Sequence, residues 1–503
     1  MNLLLTSVLC LLCARAFADH GPVIAGYASG WKNMAGVDEH RLSQFTHINL
    51  AYAEPLANGS FVLETSFKVS EFADKTHNAG AQALLALGGW SGSVYISDVL
   101  KNADTRGRLI SGIADCLREN HLDGVDIDWV ANECNHVDPQ SDTSNLLQFL
   151  KELRGTLDKE FTDSKKLVVM GVGMTPFQGA DGAPKDLSEY AELIDYISIF
   201  AYDANIIGDT TGPNAPLQGT KESLVAAVDR WVDAQFPASK ITAGLSFGGR
   251  AATTKEDMSE RSWDLYQPRE ENIPRGDNDD GLWANRCTEK PPHFSGVWSY
   301  GNLRRQGVLQ SQEEAVTPWK RYWDSASLTP WLFNPESKTF ISYDDPPSIA
   351  AKVHYVVERG LRGVTAYDIT MDHDDELMGA IIRALGSATA SSSHAEESTH
   401  SGESAEEEQP ASSAPQASTT PADEAPSRPT SSRPPPENAN DDMDEGPRTG
   451  DRCGERSRYQ CMKKSGHSPR FAVCASGAWI LQQCSAGTVC IQNDDYIYCD
   501  WPR

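Results

Sequence analysis

The chain has 503 residues, 39% of them hydrophobic, and a formal net charge of −27. This length is more than one ordinary core needs, so it predicts two or more domains. The charge argues against nucleic acid as a partner, because binding the phosphate backbone needs clustered lysine and arginine. Much of the charge lies in one segment, residues 387–448, so it says little about any site.

Residues 1–18 have the features of a secretory signal peptide. Apolar residues fill 3–5 and 8–13, and Ala16-Phe17-Ala18 fits a small-x-small cleavage site. An uncleaved anchor is the alternative, but the apolar run is too short to span a bilayer comfortably. No other stretch reaches the roughly 18 apolar residues of a transmembrane helix. We therefore predict a secreted protein, extracellular or in the cell wall, with no membrane partner.

Between residues 19 and 386, short apolar runs alternate with helical stretches. Eight such units predict an α/β fold, a closed (β/α)₈ TIM barrel. The long interval of about 250–345 predicts an insertion between strands 7 and 8. An open doubly wound sheet is the alternative, but no glycine-rich dinucleotide fingerprint follows the first strand. The predicted strands are Val23–Tyr27, Thr46–Ala53, Ala81–Leu87, Gly124–Trp129, Leu167–Met174, Tyr196–Tyr202, Ile241–Phe247 and Val364–Ile369.

The composition changes twice after the barrel. Ser, Thr, Pro and acidic residues dominate 387–448, which predicts a disordered linker, because such a segment buries too little apolar surface to offset its ordering entropy. Residues 449–503 hold six of the 11 cysteines, which predicts a small disulfide-rich module. Its aromatic residues are candidate sugar-stacking rings, although some of them could form the module's own core: Trp479, Tyr496, Tyr498 and Trp501.

Three further cysteines lie in the barrel. Cys116 and Cys134 are nearest in sequence and form the candidate pair, which would leave Cys287 as a free thiol. The remaining two, Cys10 and Cys13, would leave with the signal peptide.

The most informative stretch is 123–130, which reads DGVDIDWV. Residues two apart in a strand share a face, so Asp126, Asp128 and Val130 should point into the barrel toward its C-terminal mouth, where barrel enzymes keep their sites. Two carboxylates on an interior face are costly unless hydrogen-bonded, and they indicate function. The alternative is a polar network that only specifies the core.

This stretch resembles the signature of the glycoside hydrolase family 18 chitinases, D-G-x-D-x-D-x-E, at every position but the last. This resemblance covers about residues 22–386. The cysteine module, residues 449–503, resembles carbohydrate-binding module family 19, a fungal chitin-binding module. The other barrel segments that resemble the family are Ala86–Trp90, Phe200–Asp203, Gly244–Arg250, Trp331–Asp345 and, with Tyr367 where a tryptophan is usual, Ala366–Asp368.

The resemblance implies a substrate-assisted reaction, in which the substrate's N-acetyl oxygen attacks the anomeric carbon and a glutamate protonates the leaving oxygen. The position of that glutamate is Val130 here. Asp128 would orient the acetamido group, Asp126 would support Asp128, and Tyr202 would bind the acetamido oxygen. The further candidate substrate-binding residues are Tyr27, Tyr52, Trp90, Phe200, Asp203, Arg250 and Tyr367.

The leading interpretation is a binder of chitin and chitooligosaccharides that is inactive, because a valine has no proton to give, and that masks or sequesters chitin from host immunity. One alternative is a weakly active endochitinase in which Glu133 or another carboxylate replaces the acid. Another is a protein-binding module, although the chitin-binding module argues for a glycan. No metal-ligand spacing or phosphate-binding loop appears, so we predict no cofactor, and we expect a monomer.

Overall fold

The computed structural model describes residues 21–32, 37–130, 137–177, 179, 182–205, 208–259, 264–283 and 291–397, and five strands near the C-terminus. Side chains are described up to residue 386, and beyond it for Cys461 and Ala472. The chain divides into two units, Met1–Ser392 and Ser393–Arg503, which are described separately. None of the helices in these ranges is both long and apolar enough to cross a membrane.

The first unit is a closed barrel of eight parallel strands, as predicted. Strand β1 pairs with both β2 and β14, which closes the sheet. All eight predicted strands are present, with each end within three residues of its expected position. The strands are β1 (Val23–Ser29), β2 (His47–Pro55), β3 (Phe61–Val62), β4 (Gln82–Gly88), β5 (Gly124–Asp128), β6 (Leu167–Val172), β7 (Tyr196–Ile199), β8 (Ile241–Ser246), β9 (Gly248–Thr253), β10 (Val297–Ser299), β11 (Lys320–Asp324), β12 (Thr329–Asn334), β13 (Thr339–Ser342) and β14 (Gly363–Tyr367).

The barrel strands are buried on both faces, which is why their sequences read as nearly continuous apolar runs. Polar side chains inside the barrel are hydrogen-bonded to one another. Ser198, Thr242 and Thr365, from three neighbouring strands, join their hydroxyl oxygens at 2.8–2.9 Å. Such layers of inward side chains make the interior a packed core rather than a pore.

Helices surround the barrel, and several of them begin at side chains that satisfy their free N–H groups. Asn102 caps α5 by accepting a hydrogen bond from the backbone N–H of Asp104 at 2.8 Å, and Asp345 forms a capping box with Ser348 at α10. The helices are α1 (Glu39–Leu42), α2 (Val69–Asn78), α3 (Gly89–Gly92), α4 (Ile96–Lys101), α5 (Ala103–Glu119), α6 (Asp142–Glu160), α7 (Ser188–Leu193), α8 (Leu224–Asp233), α9 (Tyr300–Arg305), α10 (Pro346–Glu358) and α11 (Glu376–Glu397).

The predicted insertion between the seventh and eighth barrel strands, β8 and β14, is confirmed. It is built on a five-stranded antiparallel sheet in the order β10-β9-β13-β12-β11. A small apolar core of its own includes Trp331, Phe333 and Phe340. A buried ion pair follows the sheet, in which Lys352 Nζ lies 2.6 Å from Asp344 Oδ2. This ion pair therefore fixes the segment that connects the insertion to α10 and β14.

The second unit contains β15 (Tyr459–Cys461), β16 (Arg470–Ala475), β17 (Ala478–Gln483), β18 (Val489–Gln492) and β19 (Ile497–Asp500). Strands β15, β16 and β17 form one antiparallel sheet, and β18 pairs with β19. Cys461 is disulfide-bonded. Trp479 lies on β17 and Tyr498 on β19, whereas Tyr496 and Trp501 lie outside the described residues. The predicted signal peptide and most of the predicted linker also lie outside them.

Cys116 on α5 is a free thiol, so the expected pair with Cys134 is wrong. The thiol is half-buried beside Asn120, and burial raises its pKa to about 11. Cys134 and Cys287 lie outside the described residues.

Candidate functional site

A groove with a volume of about 1670 Å³ lies where the barrel strands end and the insertion begins. Parallel strands bring their carboxyl ends to one face of a barrel, so residues far apart in sequence meet there. Most of the predicted site residues line this groove: Tyr52, Trp90, Asp128, Val130, Phe200, Tyr202, Asp203, Arg250 and Tyr367.

The carboxylate of Asp126 is buried beneath the groove and connects three strands. Its Oδ2 accepts a hydrogen bond from the Tyr27 hydroxyl on β1 and another, at 2.8 Å, from Asn49 Nδ2 on β2. Tyr27 is 0% exposed. The structure therefore places Tyr27, a candidate for sugar contact, beneath the residues that line the groove, where its hydroxyl is bound to Asp126.

Asp128, two residues further along β5, reaches the groove itself. It is buried, and its Oδ1 has no hydrogen-bond partner among the described residues. Burial raises the pKa of both aspartates. The negative charge of Asp126 raises the pKa of Asp128 further, and a hydrogen bond from Tyr52 opposes that rise. The two carboxyls together therefore hold a proton at a higher pH than exposed aspartates do.

Two glycines give the site room for its rings. A Cβ at Gly171, which pairs with Asp128 across β5 and β6, would lie 2.8 Å from the ring of Phe200 and 2.9 Å from Asp128 Oδ1. At Gly89, φ is +71° and a Cβ would lie 2.8 Å from the ring of Tyr52. Larger residues at these positions would push the rings of Phe200 and Tyr52 out of place.

Val130 lies just beyond β5, which ends at Asp128, and not on the strand itself. Its backbone N–H donates to Ser93 Oγ at 3.0 Å, and this hydroxyl donates to the carbonyl of Gly89 at 2.7 Å. The valine side chain is half-buried and faces the groove. The backbone at this position is therefore anchored, and the side chain that it presents has no ionisable group.

Phe200, Tyr202 and Tyr367 form the aromatic floor of the groove, and their rings pack on one another and on the buried ring of Tyr27. The ring centroids of Tyr27 and Tyr367 lie 5.6 Å apart, those of Tyr202 and Tyr367 6.4 Å, and those of Phe200 and Tyr202 5.5 Å. Flat rings that are partly exposed suit the apolar faces of sugars.

Arg250 and Asp203 form a bidentate ion pair between the barrel and the insertion. Arg250 Nε donates to Asp203 Oδ1 at 2.8 Å, and Nη2 donates to Oδ2 at 2.6 Å. Arg250 Nη1 also donates to the carbonyl of Ser295 at 3.1 Å. A fork of this kind fixes both partners in position.

The sequence analysis missed three residues of the groove. Trp31 is 60% exposed, and its ring stacks on Tyr52 at 6.5 Å and 27°. The next residue, Lys32, pairs with the buried carboxylate of Asp368 at 2.9 Å. All three follow the C-terminal end of a barrel strand, and this placement is the signal that could have identified them.

Three other carboxylates around the groove, those of Asp142, Asp203 and Asp368, have both oxygens engaged. Asp142 accepts from Ser97 Oγ at 2.6 Å and from the backbone N–H of Asp138 at 2.7 Å. Asp203 is held by Arg250, and both oxygens of Asp368 accept hydrogen bonds. Within the described ranges, no group of three or more His, Cys, Asp or Glu side chains is arranged to hold a metal ion.

The geometry agrees with what comparisons with known proteins find. The model of "Glycosyl hydrolases family 18" matches residues 23–372, and that of "Carbohydrate binding domain (family 19)" matches residues 439–495. A chitinase-like effector of Moniliophthora roreri is 31% identical over 418 residues, which cover 77% of this chain and 99% of that protein. A chitinase-like effector of Moniliophthora perniciosa is 28% identical, over 72% of this chain and 87% of that protein.

Among solved structures, a chitinase from Rhizomucor miehei superposes with a TM-score of 0.66 at 29% sequence identity. The match covers 72% of this chain and 99% of that one. The barrel described above therefore has the same fold as that chitinase.

The raised pKa of Asp128 leads to a pH test of the groove floor. A carboxyl whose pKa is higher in the folded than in the unfolded protein contributes stability at low pH and loses it as pH rises through the folded pKa. The variant Asp128→Asn lacks this loss, so its free energy of unfolding should rise relative to wild type as pH increases. Within the interval between the unfolded and folded pKa values, the rise should approach about 1.4 kcal/mol per pH unit.

Urea unfolding at several pH values measures this difference. Asp74→Asn, which removes an exposed aspartate from α2, controls for the change in net charge. If the free energy of unfolding of Asp128→Asn, minus that of wild type, stays constant or falls as pH rises, the raised pKa is contradicted.

Proposed function

Since the chain belongs to glycoside hydrolase family 18, we propose that it is a secreted protein whose groove binds chitin and chitooligosaccharides without hydrolysing them. The chain is a chitinase-like protein with a carbohydrate-binding domain of family 19. The observation that carries the proposal is Val130, which faces a groove that Asp128, Tyr202 and Tyr367 also line.

The missing step is protonation of the leaving group. In the substrate-assisted reaction, the acetamido oxygen of the ligand attacks the anomeric carbon while an acid protonates the departing glycosidic oxygen. Asp128 and Tyr202 remain to orient and bind the acetamido group. Without the acid, the leaving group departs as an alkoxide, and general acid catalysis is typically worth about 10²–10⁴ in rate.

Glu54 and Glu64 also line the groove, whereas three of its other carboxyls are engaged by the protein. The carboxyls of Asp142, Asp203 and Asp368 are bound to neighbouring groups, so a proton transfer to a ligand would require these contacts to break. Glu133, the candidate considered from the sequence, lies outside the described residues. A weakly active endochitinase is therefore the second candidate function, favoured by the retained Asp128 and Tyr202.

Loss of the acid leaves ground-state binding in place, because contacts to the bound sugar differ from those to the transition state. A barrel groove and a carbohydrate-binding module joined by a flexible linker would raise avidity for a polymer with repeated sites. The two fungal relatives are named chitinase-like effectors, which supports a role in masking or sequestering chitin from a host's immune system. The protein-binding alternative has no observation of its own.

The first test asks whether the protein binds without cutting. We expect the purified protein to lower the free concentration of chitohexaose in equilibrium dialysis, with the oligomer intact by mass spectrometry after a day. Shorter products would show that the missing acid is bypassed and would favour the second candidate. Intact oligomer at an unchanged free concentration would remove the sequestration role.

Restoring the acid provides the second test. Val130→Glu should yield chitohexaose cleavage at least about 10²-fold above wild type, since the backbone at this position is anchored by Ser93. Val130→Gln, of similar size but without a proton to give, is the matched control and should stay inactive. If neither variant cleaves the oligomer, other departures from the family's motifs also block the reaction: Ala86 stands in place of a serine, Phe200 in place of a methionine and Tyr367 in place of a tryptophan.

The C-terminal module has a test of its own. Trp479→Ala should reduce retention of the full chain on insoluble chitin severalfold, because Trp479 is a candidate for stacking on sugar faces. Trp323→Ala, which removes a half-buried ring on β11 that does not line the groove, is the matched control. Unchanged retention of Trp479→Ala would assign that ring to the module's own core.

A further inference from the structure

Lys32 is held at the edge of the groove by contacts that fix its ammonium group. Its Nζ donates to Asp368 Oδ2 at 2.9 Å and to Thr370 Oγ1 at 2.8 Å. Lys32 follows β1 and Asp368 follows β14, and these strands are neighbours where the barrel closes. The lysine is therefore positioned by the closure of the barrel and not by a local turn.

The acceptor that holds Lys32 is itself saturated. Asp368 is 1% exposed, its Oδ2 also accepts from the Ser29 hydroxyl at 2.8 Å, and its Oδ1 accepts from the backbone N–H of Thr370 at 2.8 Å. A buried carboxylate bound on every side has a fixed orientation, and it fixes the lysine in turn. An ammonium group has three N–H donors, of which these contacts use two.

Among the described residues, Asp368 and Thr370 are the acceptors given for the Lys32 ammonium group, and the side chain also reaches the groove. The Lys32 side chain is 36% exposed, and the residue lines the groove together with Trp31 and Tyr367. Trp31 directly precedes Lys32 in the chain, and Tyr367 directly precedes Asp368. Each partner of the ion pair therefore has one of these rings as its sequence neighbour. A sugar that stacks its apolar face on either ring would turn its polar edge toward the ammonium group.

We propose that Lys32 is a ligand-positioning residue of the groove, which donates a hydrogen bond to a neutral oxygen of the bound chitooligosaccharide. The oxygen is a hydroxyl or an acetamido carbonyl and not an anion, because Asp368 already neutralises the lysine's charge. The donor is pre-organised, so little side-chain entropy is lost when the ligand binds. This inference rests on the proposed function, in that it assumes a chitooligosaccharide in the groove.

The test is isothermal titration with chitohexaose, in the full chain carrying Trp479→Ala so that the groove dominates the signal. Lys32→Met in this background keeps the length of the side chain and removes its donors. The Kd should rise about tenfold, the effect of one hydrogen bond from a charged donor. Lys101→Met is the matched control, since Lys101 forms a similar pair with Asp138 at 2.9 Å and does not line the groove.

A purely structural role predicts a different pattern. Lys32→Met leaves the carboxylate of Asp368 buried without its cation, so a loss of affinity could arise from a disturbed floor. The double variant Lys32→Met/Asp368→Asn removes that charge, and its affinity should stay low if the ammonium group contacts the ligand. Recovery of wild-type affinity in the double variant, or an unchanged Kd in Lys32→Met, would overturn the proposal. If the reference chain binds no oligomer at all, the proposed function fails instead.

Discussion

The buried carboxylate of Asp126 is the constraint on which the site depends. A charged group inside a barrel is tolerated only when neighbouring donors replace the water that it has lost. Tyr27 and Asn49 supply those donors from β1 and β2, on the far side of β4 from Asp126. The same bonds set the depth of the tyrosine ring, on which Phe200 and Tyr367 pack to form the floor.

Binding and proton donation belong to different parts of this architecture. The floor is held by side chains on the strands, among them Tyr27, Asn49 and Asp126. Residue 130 stands beyond the strand end and is fixed through its backbone by Ser93. A change of side chain there alters the chemistry offered to a ligand while the strand-borne bonds keep their partners. Under the proposed function, a single position therefore separates a family 18 enzyme from a binder.

Much of the fold could be predicted from the sequence, because each buried strand of the barrel is a short apolar run with its own turn signals. The motif around Asp126 and Asp128 identified β5, the strand from which Asp128 reaches the groove. The depth of Tyr27 could not be predicted, since alternation along a strand gives the face of a residue but not its layer. The pairing of Lys32 with Asp368 depends on the register of β1 against β14, which no local pattern encodes. Cys116 was misassigned because proximity in sequence carries little information on geometry.

The unpaired thiol of Cys116 bears on how such a chain could survive oxidative folding. Disulfide exchange requires a thiolate, and with a pKa of about 11 the Cys116 thiol is ionised in only about one molecule in 10⁴ at pH 7. Its position on α5, half-buried beside Asn120, limits its access to other sulfurs as well. Once the barrel has folded, the Cys116 sulfur is therefore a poor nucleophile toward the disulfide bonds of the cysteine-rich module.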